Sequence, residues 1–203
     1  KIIRFRTHFH GWHDHVTAGV ASHFDGEVPQ GVLPGIVENT VLLPPGDIEA
    51  VRTVMESDPD VAGIILEPTG ATFGMVPTPD GFLAELRELS RRHGVVLIFD
   101  EVVTGFRVSP GGAQAHFGVT PDLTTLGKIV AGGMPGAAVV GRRDIMDGLD
   151  VDAVGKMGRE KIQHQGTFNA NPVCAAAGIA ALEVIGSTDV CARASDRAAS
   201  IRA

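Results

Sequence analysis

The sequence predicts an α/β domain on a mostly parallel sheet, and three observations carry that prediction. Two short apolar runs, Val61-Ala62-Gly63-Ile64-Ile65-Leu66 and Val95-Val96-Leu97-Ile98-Phe99, read as strands buried on both faces. Between them, Gly81 to His93 sets Phe82, Leu83, Leu86 and Leu89 at helical spacing and stops at Gly94, a good C-terminal cap. Strand, helix, strand in that order is the right-handed crossover of an α/β sheet.

The remaining elements follow along the chain. Lys1 to Arg6 reads as a strand, and Ser22 to Gly35, with glycine, proline and charge in no period, reads as a loop. Asp47 to Ser57 follows Pro44-Pro45-Gly46 and puts Ile48, Val51 and Val54 on one helical face. Leu123 to Leu126 and Ala137 to Val140 read as further strands. Met146 to Gln165 is rich in glycine and charge and reads as irregular. Pro172 to Ile185 is an alanine-rich helix with proline suited to its first turn. No repeat or low-complexity tract interrupts this pattern, so residues 1–203 are expected to form one domain. Both ends read as cut: the first strand has nothing before it to pair with, and Ala192 to Ala203 is helix-like without a terminal cap.

Composition narrows the function class. A chain of 203 residues with 44% hydrophobic and 20% charged residues suits a globular domain with a substantial core. A net charge of −7 argues against a nucleic-acid surface. No apolar run approaches the ~18 residues of a membrane span. Two cysteines, Cys174 and Cys191, imply no disulfide framework and fit a reducing cytoplasm.

The chemistry concentrates at strand ends. Ligands of open α/β sheets bind outside the carboxyl ends of strands. Glu67 ends one strand, Asp100 the next, and Lys128 follows the short run Leu123 to Leu126. Any one of these could be a simple cap; three ionisable groups at one sheet edge point to a site. A lysine between an apolar run and the turn Gly132-Gly133 is expected to be desolvated, which lowers its pKa and lets it attack a carbonyl as a Schiff-base former. The partner that such chemistry wants is a buried carboxylate holding a cofactor ring nitrogen protonated, and Asp100 is the candidate. Together they suggest pyridoxal phosphate (PLP).

The segments Phe99-Asp100-Glu101-Val102-Val103-Thr104-Gly105-Phe106-Arg107 and Phe117-Gly118-Val119-Thr120-Pro121-Asp122-Leu123-Thr124-Thr125-Leu126-Gly127-Lys128 resemble the class III aminotransferases. The likeness is greatest to their glutamate-1-semialdehyde aminomutase-like branch. Phe9-His10-Gly11, Leu66-Glu67-Pro68 and Gly166-Thr167-Phe168-Asn169-Ala170-Asn171-Pro172 match as well. The resemblance implies the fold of PLP-dependent transferases of fold type I, with these residues forming part of the large cofactor-binding domain. The family's phosphate loop would lie upstream of Lys1 and its small C-terminal domain beyond Ala203.

It also implies roles. Lys128 would hold PLP as an internal aldimine and then move a proton, and Asp100 would pair with the ring nitrogen. Phe9 would stack on one ring face. Val102, two residues beyond Asp100 on the same strand face, would press on the other. His10 and Glu67 would line the site near the ring and substrate. Thr167 would reach the phosphate of a partner subunit's cofactor, implying a homodimer with shared sites. The reaction implied is amino transfer between an amino acid or amine and a keto acid.

Two departures bear on that reaction. Trp12-His13-Asp14-His15-Val16-Thr17-Ala18-Gly19-Val20 differs from the serine-bearing glycine loop of the aminomutase, and Glu67-Pro68-Thr69-Gly70-Ala71-Thr72 lacks the second glutamate of ornithine- and γ-aminobutyrate-type relatives. Both favour an ordinary transaminase; an aminomutase is the alternative, and a non-catalytic protein retaining the fold is a third reading. His8, His10, His13 and His15 raise a metal site, but alternate strand positions would point them in pairs to opposite sides, without a cysteine or dense carboxylate cluster. A nucleotide loop fails because Lys128 is followed by isoleucine and Asp122 stands where a P-loop needs glycine.

Overall fold

The computed structural model describes residues 1–20 and 26–202. Its strands are β1 (Ile2–Phe5), β2 (Thr40–Leu43), β3 (Gly63–Leu66), the two-residue β4 (Val76–Pro77), β5 (Val96–Asp100), β6 (Leu123–Leu126) and β7 (Ala138–Gly141). Six of them form one sheet in the order β2-β1-β3-β5-β6-β7. All neighbours are parallel except β6 and β7, so the sheet is mixed but mostly parallel, as expected.

One face of this sheet is a packed core. Alternate residues Ile3 and Phe5, Ile64 and Leu66, and Leu97 and Phe99 are buried there against Val51, Met55, Leu83, Leu86 and Leu89. These come from the helices Ile48–Ser57 and Phe82–His93. Asp47 starts the first by accepting the Ala50 N–H at 2.9 Å, and Gly94 ends the second in the left-handed conformation. The expected burial on both faces is corrected. Ile65, Val96 and Ile98, on the opposite face, are only half-buried, so these apolar strands are fully covered by this chain on one side.

A buried ion pair ties the core helix to the sheet. Arg87 reaches Asp122 at 2.8 and 3.3 Å, Arg142 adds a bond at 3.0 Å, and the Leu97 N–H donates to the same carboxylate at 2.8 Å. Asp122 directly precedes β6, so this network fixes the start of the strand leading to Lys128.

Three further expectations are corrected. Thr40–Leu43 forms strand β2, where no element was expected. The region read as a loop from Ser22 to Gly35 ends in a helical turn, Pro34–Val37; its residues Ser22 to Asp25 lie outside those described. Within Met146 to Gln165 a helix spans Val151–Lys156, started by Asp150, whose carboxylate accepts from the Asp152 and Ala153 N–H groups at 2.8 and 3.3 Å.

The helix Pro172–Ser187 begins as expected. Pro172 occupies its first turn and the Asn171 side chain accepts from Val173 and Cys174 N–H at 3.0 and 3.1 Å. It lies against the turn Lys128–Ala131 through Gly178, where a Cβ would come within 2.6 Å of the Val130 carbonyl. Among the described residues no single helix is long and apolar enough to cross a membrane.

Candidate active site

Strand register assembles the site. Leu66 pairs with Phe99 across β3 and β5, and Asp100 pairs with Thr125 across β5 and β6. Residues side by side in a parallel ladder point to the same face. Asp100 and Thr125 therefore share the half-buried face, opposite Phe99 and Thr124. The segment after β1 crosses the same edge and brings Phe9 and His10. The result is an open cleft of ≈ 230 Å³ lined by Phe9, His10, Gly11, Ile65, Glu67, Asp100, Val102, Val103, Thr104, Thr125 and Lys128. That is below the ~300–1,000 Å³ usual for whole ligand pockets.

Six of the seven site residues expected from sequence line this cleft: Lys128, Asp100, Phe9, His10, Glu67 and Val102. Thr167 does not. It is exposed, in a turn between Gly166 and Ala170.

Asp100 is buried, and both its oxygens are held. Oδ2 lies 2.7 Å from His10 Nδ1, and Oδ1 accepts the Val102 N–H at 3.1 Å. Glu67 is also buried, and its Oε1 accepts the Phe9 N–H at 2.7 Å. The Glu67 N–H donates to His8 Nδ1 at 2.9 Å, which requires a neutral His8 with its proton on Nε2. Burial, then the proximity of His10 and Arg4, pushes the His8 pKa down to about 3, although Asp100 pulls the other way. Arg4 itself is buried and donates to the carbonyls of Ala18 and His8, at 2.8 and 3.4 Å; burial lowers its pKa to about 10.

Lys128 departs from expectation in one respect: it is exposed at the cleft mouth, not desolvated by this chain's residues. Its backbone lies in the left-handed region, φ 48°, which costs a non-glycine residue energy and collects at functional sites. Gly127 before it packs against Val102, and a Cβ there would sit 3.2 Å from Val102 Cγ1. Val102 lines the cleft from a turn beyond the end of β5, not from the strand face.

The acidic neighbour Glu101 points away and is structural. Its buried carboxylate accepts from Thr104 Oγ1 at 3.0 Å, from the Ala113 and Gln114 N–H groups at 2.5 and 3.2 Å, and from the Gln114 side chain at 3.3 Å. Strand alternation after Asp100 signals this division of labour. Thr125 was not anticipated in the cleft; its place follows from pairing with Asp100. The four histidines separate, because the chain after β1 is a turn and a short 3-10 helix, not a strand. His8 and His10 face inward, while His13 and His15 stack on the outside with ring centroids 4.9 Å apart.

A mostly parallel α/β sheet whose carboxyl edge gathers a buried aspartate, an aromatic ring and a lysine on a strained turn has the fold of PLP-dependent transferases of fold type I. The whole chain, residues 1–203, matches the family model described as Aminotransferase class-III, and the chain belongs to that family. It is 47% identical over 186 residues to a glutamate-1-semialdehyde 2,1-aminomutase of Ignicoccus hospitalis, covering 90% of this chain and 42% of that protein. Among solved structures, an omega-transaminase from Sphaerobacter thermophilus superposes with a TM-score of 0.79 at 35% identity, over 90% of this chain and 43% of the other. A transaminase with PLP bound gives 0.79 at 33% identity, over 93% and 44%. The chain thus spans less than half the length of these relatives.

Proposed function

We propose that this chain is the cofactor-binding part of a cytoplasmic, PLP-dependent aminotransferase that moves an amino group between an amino acid or amine and a keto acid. The observation that carries the reading is that Asp100 and Lys128, 28 residues apart in sequence, line one cleft. The donor set fits PLP. A buried carboxylate matches a protonated ring nitrogen, an aromatic side chain and a valine offer apolar contact, and an amine stands at the mouth. When bound, PLP supplies an electron sink for the carbanion formed at the substrate α-carbon.

The protein's own contributions follow from the geometry. Asp100, its side chain engaged at both oxygens, holds positive charge at the ring nitrogen. Phe9, half exposed toward the cleft, and Val102 supply the walls. Lys128 accepts and returns a proton through its ε-amine. Thr167, exposed and outside the cleft, serves the phosphate of a partner subunit's site, so the working form is a homodimer.

A second reading, intramolecular transfer by an aminomutase, has a specific support: the relative from Ignicoccus hospitalis carries that name. Against it stand the departures in Trp12 to Val20. Stoichiometry separates the two, because a transaminase consumes one keto acid per amino donor and an aminomutase turns over one substrate alone.

The test of the shared core is borohydride reduction of the full-length protein loaded with PLP, followed by peptide mapping. A visible absorbance band that reduction removes, with the reduced cofactor on a peptide containing Lys128, is the expected result. Cofactor on another lysine, or no band, overturns the reading.

A further inference from the structure

Two threonines stand side by side in β6 and face opposite ways. Thr124, on the core face, is buried, and its hydroxyl accepts from the Gln114 side chain at 3.3 Å. Thr125 lines the cleft, yet its Oγ1 is buried and has no hydrogen-bond partner among the described residues. A hydroxyl can donate one hydrogen bond and accept two, so leaving it unused away from water is costly.

No neighbour on its own face satisfies it. Its ladder partner on β5 is Asp100, whose oxygens lie with His10 Nδ1 and the Val102 N–H instead. Its partner on β7 is Val139, an apolar side chain. Along β6 the same face carries Leu123 and Gly127, which bring no polar side chain. A buried polar group left over in this way calls for a ligand or a water to complete its bonding. Threonine can turn to meet one, because a single step of about 120° between staggered wells exchanges its hydroxyl and methyl groups.

Sheet order decides which part of a cofactor Thr125 would meet. Asp100 stands between Glu67, which follows β3, and Thr125 on β6. A ring whose nitrogen faces Asp100 therefore turns one flank toward each. PLP carries its phosphate arm on one flank and its phenolic oxygen on the other. Phosphate oxygens are strong hydrogen-bond acceptors and need donors. The Glu67 flank presents a carboxyl group whose Oε1 is itself an acceptor, taking the Phe9 N–H at 2.7 Å. The Thr125 flank presents a donor. The phosphate arm accordingly suits the Thr125 side, and the phenolic oxygen, which can carry a proton, suits the Glu67 side.

We propose that Thr125 is a further cofactor-binding residue, whose hydroxyl donates to the phosphate arm of bound PLP on the flank of Asp100 away from Glu67. This rests on the PLP reading above and adds a contact that the sequence did not announce.

The test compares Thr125→Val, which keeps the branched shape and loses the hydroxyl, with Thr125→Ser, which keeps the hydroxyl. In the full-length protein, equilibrium dialysis measures the affinity for PLP and for pyridoxal, which lacks the phosphate. Loss of one hydrogen bond to a charged group weakens PLP binding on the order of 10-fold in Thr125→Val and leaves pyridoxal binding as in wild type. Thr125→Ser restores PLP affinity. The phosphorus resonance of bound PLP, which needs no pyridoxal binding, shifts in Thr125→Val and returns in Thr125→Ser. Equal weakening toward PLP and pyridoxal, or a serine variant as poor as the valine one, overturns the proposal. So does wild-type PLP affinity in Thr125→Val, which would assign the hydroxyl to water. Should Thr125→Val not fold, Thr125→Ala lacks the same hydroxyl and is held to the same outcomes. Lys128→Ala is the control for the underlying reading. If it leaves the cofactor spectrum unchanged, the PLP reading fails; if it abolishes the visible band while Thr125→Val binds PLP like wild type, only the role of Thr125 falls.

Discussion

Asp100 and Thr125 are direct partners across the β5–β6 ladder, and that pair places Lys128 three residues beyond it, on the same edge of the sheet. The geometry of the cleft is thus set by strand register. A slip of one residue would send Asp100 into the core face occupied by Phe99. Asp122, just before β6, guards against the slip, because its carboxylate binds the Leu97 N–H of β5.

Asp100→Asn tests the electrostatic role apart from shape. The amide keeps the size of the side chain but removes the charge proposed to face the ring nitrogen. PLP should still bind, while turnover falls on the order of 100-fold or more. Near-normal turnover in steady-state assays of the full-length variant would exclude a charge role for Asp100.

Gly127→Val tests the wall that Val102 forms. Its added side chain would press on Val102 Cγ1, already 3.2 Å from where a Cβ would lie. Overpacking of this kind costs about 1–3 kcal/mol. The expected outcome is a lower melting temperature and weaker PLP binding, both partly restored by a second change, Val102→Ala. A double-mutant cycle with no coupling would show that the contact does not transmit the strain.

Much of this arrangement was legible in the sequence where the signal is local. Asp47 and Asn171 start helices, Gly94 ends one, and the apolar periods of Phe82 to Leu89 identify a core face. Glu67, Asp100 and Lys128 were legible as strand-end groups because ligands gather at that edge. What failed was long-range. Thr40–Leu43 is four residues with no alternation, and it becomes a strand only because β1 pairs with it. Val102 reaches the cleft through a turn that strand periodicity could not foresee. The exposure of Lys128 depends on what surrounds its turn, not on its apolar sequence neighbours. His10 meets Asp100 across 90 residues, a contact that no spacing announces. Asp150 did signal the helix Val151–Lys156, but the glycine and charge around it masked the cap.

His8 makes stability depend on mild acid. Its pKa is held at about 3 in the folded protein against an ordinary 6.5, chiefly by burial. Between those values the unfolded chain binds a proton that the folded chain refuses, so stability falls as pH drops from about 6.5 toward 3. The loss is on the order of a few kcal/mol across that window. Urea unfolding at pH 7.5, 5.5 and 4.5 should show a declining midpoint in wild type and a shallower decline in His8→Asn, whose side-chain oxygen can still accept the Glu67 N–H. Parallel declines would remove His8 as the cause.

Asp122 acts in a lower window and by the opposite kind of group. Burial alone would raise its pKa, but the bonds from Arg87, Leu97 N–H and Arg142 outweigh that, and the net shift is downward. A carboxylate with a depressed folded pKa contributes stability above its ordinary value of 3.8 and loses it as pH falls through the folded value. Asp122→Asn at neutral pH removes the charge and leaves the buried Arg87 guanidinium uncompensated. Breaking a buried pair in this way costs about 3–5 kcal/mol. Arg87→Met removes the cation instead, but Asp122 keeps Arg142 and the Leu97 N–H, so the cost should be smaller. Equilibrium unfolding of both variants decides the matter: equal losses would mean that Arg142 and Leu97 do not share in holding Asp122, and that the start of β6 is fixed by Arg87 alone.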